Sequence, residues 1–179
     1  DVEMPWKPLQ QPYPRIWVPS ATPDNAKEWG RRGYGVAGFS WLGIDIHKAI
    51  FAAYQEGWQE SGLPVEDQRI AYLSSFVVAD TDAEAEKLAK KHFPEQVELF
   101  EYEEGRSHWF GDTNLKRVYS GLLNLFDQIT NVDEVSGPAQ MIIHGSPETV
   151  AQKMLTLRAA LPINTYFAEF SFGHMSWDT

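Results

Sequence analysis

Apolar residues in this chain fall into short blocks separated by caps and breakers. Ile16, Trp17 and Val18 form a run with the composition of a buried parallel strand. Pro19 is expected to end that strand, because proline cannot donate to a ladder. Thr22 then stands where an N-cap is wanted, Pro23 at the first helical position and Asp24 in the first turn, where a carboxylate meets the positive end of a helix. Ala26, Trp29 and Gly30 share one side of that helix, and Gly33 is placed to close it in the left-handed conformation. Residues 36–41 resume as a second apolar strand. A strand–helix–strand unit this short implies parallel strands, whose ligands bind at the carboxyl ends. Ser20, Ala21 and Thr22 are thereby expected beside Ser40 and Trp41.

The same grammar continues. Apolar positions 46, 50, 53, 54 and 57 predict an amphipathic helix, which Ser61-Gly62-Leu63-Pro64 stops. Residues 69–79 read as a third strand. Thr81 and Glu84 form a capping box for a helix expected to reach about His92 and end at Pro94. Residues 94–145 read as a long insertion or active-site loop region. It holds an acidic stretch at 98–104, loop composition at 105–114 and 132–138, and a helix-like segment at 118–129. Gly145-Ser146-Pro147-Glu148 then repeats the order of cap, proline and acid. It leads a helix to about Leu161 with Val150, Met154, Leu157 and Leu161 inward. Residues 165–172 are the fourth strand. Pro5, Pro8, Pro12 and Pro14 forbid regular structure before the first.

Composition narrows the function classes. At 179 residues and 43% apolar the chain can bury a core of ordinary size. The formal charge of −10 opposes nucleic acid and anionic membrane surfaces as partners. No cysteine means no disulfide and no thiolate chemistry, which permits a cytoplasmic location. Histidines 47, 92, 108, 144 and 174 lack ligand spacing, so no metal is expected; His174, just past the fourth strand, is the one placed for chemistry. Gly38-Phe39-Ser40-Trp41-Leu42 misses the nucleophile elbow because Leu42 replaces the second glycine. Gly30-Arg31-Arg32-Gly33-Tyr34-Gly35 runs through a helix end and is no dinucleotide fingerprint. By pattern alone, Thr22 is a helix cap and Trp41 a core residue.

A set of ordered motifs adds to this reading. Glu28-Trp29-Gly30-Arg31-Arg32-Gly33, Phe39-Ser40-Trp41, Asp80-Thr81-Asp82-Ala83-Glu84-Ala85, Gly145-Ser146-Pro147-Glu148-Thr149-Val150-Ala151 and Phe167-Ala168-Glu169-Phe170-Ser171-Phe172-Gly173 follow one another over nearly the whole chain. Together they resemble the bacterial luciferase-like flavin-dependent monooxygenases. The resemblance implies an α/β fold, the (β/α)8 TIM barrel, which needs about 250 residues. The chain then corresponds to the C-terminal half-barrel: about four parallel strands with helices, one partial domain over residues 1–179, incomplete on its own. The resemblance further implies reduced FMN and O2 acting on a small organic substrate. Ser20, Ala21 and Thr22 would lie at the cofactor phosphate, Ser40 and Trp41 at its ring. Thr22-Pro23 departs from the Glu-Ser of the family pattern. Catalytic groups would reside in the N-terminal half, so the isolated chain is expected to be inactive. Open strand edges imply a homo-oligomer or pairing with that other half. Two alternatives stand beside this one: a non-catalytic self-associating half-barrel, and a deazaflavin-dependent oxidoreductase of the same superfamily.

Overall fold

The computed structural model describes residues 9–105 and 141–171. Strands and helices alternate through them: β1 (Trp17–Pro19), α1 (Pro23–Arg31), β2 (Gly35–Phe39), α2 (Ile44–Ser61), β3 (Ile70–Val78), α3 (Asp82–Gly105), β4 (Ile142–Gly145), α4 (Pro147–Ala160) and β5 (Thr165–Glu169). Every strand pair is parallel. β2 lies along Ile70–Leu73 of β3 and β5 along Ala71–Ser75, so these two flank β3 on opposite edges. Ser75 pairs with both Ile142 and Glu169, which puts β4 on the β2 edge, continuing beyond the point where β2 stops. The through order is therefore β1-β2-β3-β5, with β4 set above β2 toward the carboxyl ends.

This sheet is curled. Side chains alternate faces along a strand, and residues paired in register share one. Val36, Ile70, Tyr72 and Tyr166 face the helices and pack with Ala26, Ile50, Phe51, Tyr54, Trp58, Leu157 and Leu161. The opposite face carries Trp17, Phe39, Leu73 and Phe167, all half-buried. Across it the Trp17 ring meets the Phe167 ring at 5.0 Å although β2 and β3 lie between their strands. Three strand spacings in a flat sheet would separate them by about 14 Å. The half-buried face is thus concave, as in a partial barrel.

Local sequence explains most boundaries. Thr22 caps α1 by accepting the Asn25 amide at 3.4 Å. Gly33, at φ 72°, closes α1 with amide bonds from Gly33 to Gly30 and from Tyr34 to Trp29, a Schellman arrangement. α1 and α2 cross where glycine meets backbone. A Cβ on Gly57 would run into the Lys27 carbonyl, and one on Gly30 into the Tyr54 carbonyl. Lys27 and Arg31 of α1 pair with Glu60 of α2 at 3.0 and 2.5 Å along the exposed side of the crossing.

Pro19 ends β1 as expected, and because the bonds to β2 use Ile16 and Ser20 its nitrogen faces the outer edge of the sheet. Other sequence expectations need correction. The buried stripe of α2 is His47, Ile50, Phe51, Tyr54, Gly57 and Trp58, while Ile46 is exposed. β4 is a fifth strand, too short at four residues to stand out by pattern, and β5 stops at Glu169. β2 ends at Phe39, so Ser40 and Trp41 belong to the 3-10 turn Ser40–Leu42. α3 continues through Pro94 to Gly105. An interior proline costs about 3 kcal/mol. Offsetting it, Ala85, Ala89 and Phe93 bury against Val77 and Ile142, and His92 pairs with Glu95 at 2.6 Å across the break. Of the region expected as insertion or active-site loop, residues 94–105 are helical and 142–145 form β4. The segments expected at 106–114, 118–129 and 132–138 lie outside the described residues, as do His108 and His174.

Candidate functional site

Adjacent strands bring the two expected clusters together at the carboxyl end of the sheet. Ser20 follows β1 directly. Its amide donates to the Ala37 carbonyl at 3.0 Å, extending the β1–β2 ladder, and its hydroxyl donates to the Thr22 carbonyl at 3.0 Å. These bonds bury Ser20, 3% exposed, and turn the chain outward, leaving Ala21, Thr22 and Asp24 open to solvent. The first turn of α1 thus presents its amide end outward, with a partial positive charge.

The start of α4 has the same sequence grammar and a different state. Ser146 caps it, accepting the Thr149 amide at 3.4 Å. Asp82, the first residue of α3, covers this end. Its carboxylate accepts the Ser146 amide at 2.6 Å and the Thr149 hydroxyl at 3.0 Å, and these donors hold Asp82 below the usual carboxylate range. An internal anion already occupies the α4 start. No side-chain carboxylate from another element covers the α1 start among the described residues.

Beside Ser20, β2 passes into the turn that carries Ser40 and Trp41. Ser40 is 8% exposed. Its carbonyl accepts the Gly43 amide at 3.3 Å and the Tyr72 hydroxyl at 3.4 Å. Gly43, at φ 81°, lets the chain reverse into α2. Below the turn sits His47, fully buried, with Nδ1 at 2.6 Å from the Gly43 carbonyl. Burial lowers the pKa of His47, the bond to Gly43 opposing the shift, so the imidazole is neutral. The ring of Trp41 lies outside what the structure describes.

One polar pair escaped the sequence reading. Ser75 and Glu169 are register partners on the concave face, and the Ser75 hydroxyl donates to Glu169 Oε2 at 2.8 Å. They stand on the carboxyl side of Leu73 and Phe167, at the rim of an apolar floor. The signal lay in the period of two: Leu73 then Ser75, Phe167 then Glu169, apolar below and polar at the rim. Among the described residues no group of three or more His, Asp or Glu could hold a metal ion, and no helix is long and apolar enough to cross a membrane.

A curled parallel sheet with its polar groups at the carboxyl ends is the architecture of a barrel enzyme half. The profile of the luciferase-like monooxygenases matches residues 2–163. The chain belongs to this family. Among solved structures it is similar to the monooxygenase RslO1 from Streptomyces bottropensis, at a TM-score of 0.67 and 17% identity over 98% of this chain and 46% of that one. It is also similar to the oxygenating constituent of 3,6-diketocamphane monooxygenase from Pseudomonas putida, solved with FMN. There the TM-score is 0.61 and the identity 21%, over 88% of this chain and 42% of that one. The coenzyme F420-dependent tetrahydromethanopterin reductase from Methanopyrus kandleri shares the fold at a TM-score of 0.52 and 16% identity, over 85% and 44% of the two chains. The chain therefore spans about half the length of the structures it matches. No curated protein matches it.

Proposed function

We propose that this chain is the C-terminal half of a flavin-dependent monooxygenase acting on a small organic substrate. In this reading the α1 start, with Ser20, Ala21 and Thr22, holds the phosphate of FMN, and the turn with Ser40 and Trp41 walls the ring. The observation that carries it is the contrast between two matching helix starts: α4 is filled by Asp82, and α1 faces solvent. An exposed helix start with its partial positive charge suits a phosphate dianion. Bound there, reduced flavin would supply the electrons that activate O2.

The chain's own residues have simpler tasks. Ser20 shapes the phosphate turn through its bond to the Thr22 carbonyl. Trp17, Leu73 and Phe167 give an apolar floor that excludes water, and the Ser75–Glu169 pair offers a hydrogen-bond acceptor at the rim. The concave face and the outer edges of β1 and β5 are closed by a second half-barrel, either the N-terminal half or another copy. Alone, the 179-residue chain binds flavin weakly and turns over no substrate.

The experiment is a titration of the chain with FMN and with riboflavin, which lacks the phosphate. Tighter binding of FMN, with the difference reduced in Thr22→Glu, supports the reading. Equal binding of both, or of neither, defeats it. Two of the similar structures are F420-dependent enzymes, a tetrahydromethanopterin reductase and a secondary alcohol dehydrogenase, and deazaflavin in place of FMN is the second reading. Tighter binding of F420 than of FMN would select it.

A further inference from the structure

The residue left unused by this account is His47. It is fully buried at the start of α2, and its ring lies on Gly38 of β2 so closely that a Cβ there would sit 2.6 Å from Nε2. Tyr72 meets it edge-on at 5.0 Å and Phe51 packs at 5.4 Å. The Gly43 carbonyl can only accept, so Nδ1 carries the proton and Nε2 is the bare nitrogen. Nε2 is buried with no hydrogen-bond partner among the described residues. Leaving it so costs free energy that a leucine of similar volume would not incur. Packing alone therefore does not account for an imidazole here.

What a leucine side chain could not do is donate to the Gly43 carbonyl. That carbonyl takes two bonds, from the His47 amide at 3.3 Å and from Nδ1 at 2.6 Å, while Tyr72 reaches the Ser40 carbonyl at the other end of the same turn. The four-residue turn is fastened from below at both ends. We propose that His47 is a positioning residue: as its neutral Nδ1–H form it fixes the Ser40–Gly43 turn, and so the presentation of Ser40 and Trp41 to the cofactor. This role rests on the flavin reading given above.

Among the described residues, the groups facing the imidazole are the Tyr72 and Phe51 rings and the backbones of Gly38 and Gly43. Tyr72, the one titratable group among them, is held neutral because burial pushes its hydroxyl pKa up. Asp45 and Lys48 of the same helix pair with each other at 3.0 Å on its exposed side. Among the described residues no carboxylate is there to accept a proton from Nε2, so acid would break the arrangement rather than tighten it.

The test compares His47→Leu with His47→Asn, whose amide stands where Nδ1 does. Two quantities are read in the 179-residue chain at pH 7: amide hydrogen exchange at residues 42–44 without flavin, and FMN affinity. In His47→Leu, exchange at these amides should quicken and FMN binding weaken, each by about tenfold, the worth of one hydrogen bond. His47→Asn should stay close to the unaltered chain in both. If the leucine variant does not fold, His47→Gln replaces it, its amide displaced by one methylene. Unchanged exchange overturns the fastening of the turn. Faster exchange with unchanged FMN affinity overturns the link to the cofactor. If the unaltered chain binds no FMN, the flavin reading fails, and exchange alone still upholds or overturns the fastening.

Discussion

The Trp17 ring meets Phe167 edge-on, 5.0 Å between centroids and 65° between planes, across a sheet in which their strands are not neighbours. Gly35 permits this, since a Cβ there would sit 2.7 Å from the Trp17 ring. An aromatic pair of this geometry is worth about 0.5–1.5 kcal/mol beyond burial. A double-mutant cycle with Trp17→Leu and Phe167→Leu, read by urea unfolding, should give a coupling in that range. Additive effects would mean that the sheet is flatter in solution.

The crossing of α1 and α2 supplies a second prediction. Gly57→Ala gains about 1 kcal/mol of helix propensity. The new methyl, however, meets the Lys27 carbonyl, a backbone group that moves only with its helix. Overpacking of this kind costs about 1–3 kcal/mol or more, so the variant should be less stable despite alanine's preference for helix. Thermal unfolding checks the sign.

His47 ties stability to pH. Burial lowers its folded-state pKa from 6.5, the value it regains on unfolding. Above about pH 6.5 both states are neutral and the residue adds no pH dependence. As pH falls through 6.5 the unfolded chain takes up the proton first, and stability declines until the folded pKa is reached. His47→Leu should remove this component, as seen by urea midpoints between pH 7 and pH 5.

Asp82 joins the starts of α3 and α4 through the Ser146 amide and the Thr149 hydroxyl. Asp82→Ala should lower the melting temperature and leave the α4 start open to an anion. Added sulfate or phosphate should then recover more stability in the variant than in the unaltered chain. Because the carboxyl pKa is depressed, this contribution is complete above the ordinary carboxylate value near 3.8 and is lost as pH falls below it.

Much of this was legible in the sequence because it is local. Thr22-Pro23-Asp24, Thr81 with Glu84, and Ser146-Pro147-Glu148 each placed a helix start that the hydrogen bonds reproduce. Gly33 and Gly62 marked left-handed helix ends, at φ 72° and 71°. What escaped depends on partners far along the chain. Ser75 and Glu169 are 94 residues apart and become a pair only when β3 and β5 align. Asp82 reaches Ser146 over 64 residues, so this difference between two cap motifs of the same pattern could not be read from either. The apolar positions put Ile46 on the buried side of α2, whereas the folded helix buries His47 and exposes Ile46. Gly38 decided this, by leaving room for an imidazole against β2.

The central claim is that the α1 start grips the cofactor phosphate, and amide shift mapping tests it directly. The 179-residue chain would be labelled with nitrogen-15 and titrated with FMN and then with riboflavin. FMN should move the amides of Ala21, Thr22, Asp24 and Asn25 together with those of the turn at 40–43, and riboflavin only those of the turn. Shifts centred on Ser146–Thr149, or no difference between the two ligands at α1, would contradict the account.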